Sequence, residues 1–113
     1  MTDKFIKNID FSKVHLLTEQ ISYQDGQVGS KTLAQNKALS LTLFAFDKGE
    51  EISSHESNGD AMVIILDGEA EIKIGSEKYN LNQGETIVMP AKIPHAVLAK
   101  EKMKMFLIVV FSS

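Results

Sequence analysis

With 113 residues, 43% hydrophobic content, no cysteine and a formal net charge of −3, the chain is long enough for one compact domain with a real core. This composition excludes a disulfide framework, a thiolate nucleophile and a sulfur ligand for a metal. The mild negative charge argues against nucleic acid or an anionic membrane as the main partner.

All twelve basic residues are lysine, so no guanidinium can clamp a carboxylate or phosphate in bidentate fashion. Lysine still offers a point charge, which demotes anionic ligands without excluding them. The longest apolar run, Phe106 to Phe111, is too short to cross a bilayer. The first residues lack the apolar stretch and small-residue cleavage site of a signal peptide, so a cytoplasmic location is expected.

Residues 1–20 sustain neither a helical nor a strand period. They read as an irregular N-terminal arm with one helical turn around Asp10–Lys13. Residues 21–113 read as the globular domain. Ile21–Gln24 and Val28–Ala34 are expected to be short strands split by Asp25-Gly26, a hairpin dipeptide. Ala38–Asp47 sets Leu39, Leu41, Leu43 and Ala45 against Ser40 and Thr42, then becomes apolar on both faces.

Short strands follow at Glu51–His55 and Ala61–Leu66, separated by a loop over residues 56–60. Glu69–Ile74 alternates cleanly, with Ala70, Ile72 and Ile74 inward and Glu69, Glu71 and Lys73 outward. Further strands are read at Lys78–Leu81, Thr86–Met89, His95–Ala99 and Met103–Phe111. About ten short strands without a long helix predict an all-β sandwich or barrel.

Two stretches carry the functional signal. Gly49 is followed by His55 and Gly68; Gly84 is followed by Pro90 and His95. Two of the three histidines thus sit at matched places near strand ends. Glycine suits turns that need positive φ, and proline sets the entry to the loop before His95.

These spacings resemble the two motifs of the cupin superfamily, written G-x5-H-x-H-x3-E-x6-G and G-x5-P-x-G-x2-H-x3-N. Gly49, His55 and Gly68 fall on the first; Gly84, Pro90 and His95 fall on the second. The spacer between Gly68 and Gly84 is fifteen residues, as in compact bacterial members. The resemblance covers roughly residues 38–111 and implies a jelly-roll β-barrel.

It also implies a metal held by two histidines and a glutamate of the first motif and the histidine of the second. Here the set is depleted: Ser57 stands at the second histidine's place and Ala61 at the glutamate's. Lys92 replaces the second motif's glycine, and Ala99 its asparagine. A catalytic metal centre generally uses three protein ligands, so only the pair His55 and His95 remains as metal ligands. The expected metal content is well below one equivalent, with zinc, nickel or copper held more readily than iron or manganese.

Alternation along each strand is expected to turn His55 and His95 into the barrel. His55, Ser57 and His95 are then candidate polar contacts for a small, largely uncharged ligand, and Ala61, Val63, Met89 and Val97 candidate walls. No serine lies in a nucleophile-elbow context, and no catalytic residue can be named. The expected role is small-molecule binding for sensing or as an accessory protein. The alternative is a metal-dependent oxygenase or isomerase whose substrate completes the coordination. Apolar residues on both faces of Ala61–Leu66 and of the last strand also predict a homodimer in which the arm is exchanged.

Overall fold

The structure, a computed structural model, describes residues 4–111. Among the described residues nine strands follow the arm: β1 (Val28–Gln35), β2 (Leu39–Phe46), β3 (Glu51–His55), β4 (Gly59–Asp67), β5 (Glu69–Ile74), β6 (Glu77–Asn82), β7 (Thr86–Met89), β8 (His95–Ala99) and β9 (Met103–Phe111). They form two antiparallel sheets, β1-β2-β9-β4-β7 and β3-β8-β5-β6, stacked as a jelly roll.

The inner faces supply one core. Phe46, Ala61, Val63, Ile65, Ala70, Ile72, Met103 and Met105 are fully or almost fully enclosed in it. The period of two decides membership: β4 buries Ala61, Val63 and Ile65 and turns Asp60 and Met62 outward. In β5, Ala70 and Ile72 go in while Lys73 goes out, as its alternation predicts.

Glycine is required at the corner between β4 and β5. Gly68 has φ of 80°, a left-handed conformation costly for any residue with a Cβ. The backbone there also lies directly against Lys102 and Met103 of the strand entering β9.

The arm differs from its sequence reading. Ile21–Gln24 is not a strand, and Asp10–Lys13 is not helical. The described residues contain one short 3-10 turn instead, Leu17–Glu19. Side-chain anchors replace a backbone ladder here. The Tyr23 hydroxyl donates to Asp67 Oδ2 at 2.5 Å, and Lys104 Nζ donates to the Thr18 carbonyl at 2.5 Å. Burial and the Asp67 carboxylate push the Tyr23 phenol upward, which keeps it a donor. Lys104 and Lys102 also lie 4.7 and 5.7 Å from the Tyr23 ring centroid.

The arm therefore crosses the outer face of the five-stranded sheet. It begins beside the β1 edge, where the Lys7 N–H donates to the Leu33 carbonyl at 2.7 Å. It ends over the β4 corner at Tyr23. Leu43 and Ala45 are fully buried yet stand apart from the main core, because they face the arm. No helix among the described residues is long and apolar enough to cross a membrane.

Candidate functional site

His55 ends β3 and His95 begins β8, and the two are direct cross-strand partners. Their ring centroids lie 4.4 Å apart in an edge-to-face arrangement. Simple alternation does not produce this meeting. Ile52 faces Val97 on the inner side, so an unbroken strand would send Ser54 inward and His55 outward. The register slips by one residue between Ile52 and His55, a β-bulge at Ser53-Ser54. That extra residue turns His55 to the side of His95. Alternation alone was expected to turn both histidines into the barrel; the bulge, not alternation, pairs them, and His55 stays exposed while His95 is buried.

The two imidazoles differ in setting. His95 is only 4% exposed and has Ile74 as its partner on the β5 side, whereas His55 is exposed at the rim. Burial and then the neighbouring His55 hold the His95 pKa below the ordinary imidazole value, so His95 is neutral at pH 7. Each Nδ1 faces a backbone carbonyl: Ser53 at 3.0 Å for His55 and Ile93 at 3.3 Å for His95. A carbonyl only accepts, so Nδ1 carries the proton in each neutral ring and Nε2 keeps a lone pair.

The other candidates fall in two groups. Ala61, Val63, Met89 and Val97 are buried in the common core. Ser57 belongs to the rim, where its hydroxyl accepts from the Gly59 N–H at 3.1 Å and its carbonyl from the Lys92 N–H at 2.7 Å. Ser57 thus joins the loop after β3 to the loop before β8. Asp60 faces outward and accepts from the Ala91 N–H at 2.8 Å, which commits it away from the histidines.

Two features were missed in the sequence. Lys92 adopts φ of 65°, so the lysine occupies a backbone site shaped for the glycine it replaces. Its side chain lines a cleft of about 400 Å³ together with Lys37, Asn58 and Phe111, beside the loop that follows His55. Lys92→Gly should relieve about 1 kcal/mol of left-handed strain, partly offset by the freedom glycine gains when unfolded. The expected result is a small rise in the urea midpoint; a fall would mean that the lysine stem contributes packing that outweighs the strain.

As a metal centre the donor set is short. Among the described residues, no three His, Cys, Asp or Glu side chains converge. Two Nε2 lone pairs without a carboxylate do not fit a resident iron or manganese centre, which needs at least one further protein ligand.

Two stacked antiparallel sheets in this strand order define a small single-barrel jelly-roll protein. The family model for the cupin domain matches residues 42–111, and the chain belongs to that family.

Among solved structures it is similar to a conserved protein of unknown function from Streptococcus pyogenes. That likeness has 47% identity and a TM-score of 0.98, covering 100% of this chain and 99% of that one. A cupin superfamily protein from Desulfitobacterium hafniense matches at 33% identity and a TM-score of 0.91, with 95% of this chain and 98% of that one covered. A cupin 2 conserved barrel domain protein from Leptotrichia buccalis is 40% identical with a TM-score of 0.81, over 82% of this chain and 45% of that one. No curated protein matches the chain.

Proposed function

We propose that this protein binds a small, mostly apolar molecule at the barrel mouth, against the Nε2 atoms of His55 and His95, in a sensing or accessory role within the cytoplasm. The observation that carries the reading is the pair itself. The two rings meet at 4.4 Å, each with Nδ1 facing a carbonyl. In our reading the pair offers two acceptors, and Ala61, Val63, Met89 and Val97 of the buried core are the walls nearest in kind to what such a ligand needs, because small-molecule sites combine few polar groups with apolar lining. A donor group on the ligand would bridge the two nitrogens. Lys37 and Lys92 could receive a polar or acidic end in the neighbouring cleft.

In the alternative, a metal-dependent oxygenase or isomerase, the same two nitrogens hold a metal and the substrate supplies the missing donors. Two imidazoles plus water favour later metals such as zinc, nickel or copper at low occupancy.

One experiment separates these readings. Protein made without a metal-affinity tag is analysed for metals, and imidazole resonances are followed while a library of small neutral and carboxylate-bearing fragments is added. The binding reading expects substoichiometric metal and fragments that shift both histidines, with affinity lost at least tenfold in His55→Ala and in His95→Ala. One tight equivalent of iron or manganese, absent from both variants, would establish the enzyme instead. Fragments that leave both rings unmoved would remove the site.

A further inference from the structure

One end of the barrel carries a cationic cleft on the loops that also hold the histidines. Lys37 of the β1–β2 turn, Asn58 after β3, Lys92 before β8 and Phe111 at the end of β9 line it. Short contacts fix each piece. Asn36 Oδ1 accepts from the Ala38 and Leu39 N–H groups at 2.7 and 3.0 Å, which sets the turn carrying Lys37. The Phe111 N–H donates to the Ala38 carbonyl at 2.8 Å and ties that turn to β9. The Lys92 N–H, on the Ser57 carbonyl, joins the other two loops.

Phe111 turns to the inner side of its sheet. Its partner is Gly59, at the head of the alternation that buries Ala61, Val63 and Ile65. A Cβ on Gly59 would stand 2.9 Å from Phe111 Cδ1, so glycine is what lets the ring lie against the β4 backbone.

Charge and strain both point to a ligand. Neither Asp nor Glu lines the cleft, and among the described residues neither ammonium has a carboxylate partner, although the chain as a whole is negative. Asp60, in the adjoining hollow of about 270 Å³, is already held by the Ala91 N–H. Lys92 also keeps a left-handed backbone that glycine would hold at less cost. Strain of this kind collects at ligand clamps.

We infer that the mouth selects small organic acids, a conclusion that rests on its being a small-molecule site. The carboxylate is received by the Lys37 and Lys92 ammoniums, and the apolar body lies along Phe111. Lysine suits this task in a chain without arginine, because an ammonium is a point charge with three donors and needs no planar fork. The cleft, of about 400 Å³, is large enough for a one-ring acid.

Four probes that differ only at their ends test this: para-hydroxyphenylacetate, phenylacetate and the amide of each. Affinities come from NMR titration of backbone amides at low salt. In wild type each acid is expected to bind about tenfold more tightly than its amide, as two exposed charge pairs allow. The acids should shift Lys37, Asn58 and Lys92, and added salt should shrink the ratio. Lys37→Gln with Lys92→Gly should bring the ratio to about one, and Lys37→Arg with Lys92→Arg should keep it, since both charges remain. His55→Ala should leave the ratio intact and abolish only the advantage of the para-hydroxyl group. Equal binding of acid and amide to wild type, or a ratio that survives the loss of both lysines, would overturn the inference even where the hydroxyl still reports on the histidines. Acids that leave the cleft amides unmoved at millimolar concentration would overturn it as well. A lysine-dependent ratio with a hydroxyl that counts for nothing would support the acid subsite and remove the histidine contact instead.

Discussion

Gly68→Val is expected to lower the unfolding free energy by about 2–5 kcal/mol, against a total of roughly 5–15 kcal/mol for a domain of this kind. Two effects combine. At φ of 80° any Cβ is disfavoured by about 1–2 kcal/mol. In addition, a Cβ at this position would overlap the Lys102 carbonyl oxygen and sit 2.8 Å from the Met103 Cβ. Neither atom can swing away, since one is backbone and the other is fixed at the start of β9, so overpacking adds about 1–3 kcal/mol.

Gly84 and Gly49 separate the two effects. Their φ values are 88° and 84°, but nothing lies within 4 Å of a Cβ built there. Gly84→Ala and Gly49→Ala should each cost only about 1 kcal/mol. Urea denaturation of the four proteins measures this directly. If the Gly68 variant loses no more than the other two, the close approach to Lys102 contributes nothing.

The parts of the fold legible in the sequence were those governed by strict local rules. Alternation in β5, the glycine turns at positive φ and the apolar last strand need only neighbouring residues to be read. Ile21–Gln24 misled because β-branched and aromatic residues also serve as isolated anchors. Tyr23 is spent on Asp67, 44 positions away, and such a tether leaves no periodic trace. The site was legible in position, since spacing alone marked His55 and His95, but its geometry depends on an insertion. Ile52 and His55 lie three apart, an odd spacing that contradicts a common face. That mismatch was the available sign of a bulge. Lys92 stood at the second motif's glycine, the one hint available, but only the backbone shows that the lysine keeps a glycine's conformation.

Deleting Ser53 and Ser54 together should take the histidine pair apart while leaving the barrel folded. β3 is an edge strand, bonded to β8 alone, so a register change there disturbs no second ladder. His55 then directly follows Ile52, and the strand can pair with β8 in unbroken register; removing Ser54 alone would leave His55 two residues from Ile52 and still on the side of His95. In the double deletion the period of two carries His55 to the outer face, away from His95. The Nδ1 contact to the Ser53 carbonyl goes with that residue.

Three readouts follow. Cross-relaxation between the two imidazoles should vanish. Fragment binding at the mouth should fall to the level of His55→Ala. The His95 titration should move upward, because one of its two depressing influences has gone, yet stay below about 6.5 because burial, the larger one, remains.

The sign carries into stability. A depressed folded-state value means that the unfolded chain takes up the proton first, so wild-type stability declines as pH falls below about 6.5 and levels off below the folded-state value. In the deletion variant that acid-side loss should be smaller, although its stability at pH 8 stays within about 1 kcal/mol of wild type. Persistent contact between the two rings would show that the Ser57 and Lys92 link, rather than the bulge, places His55.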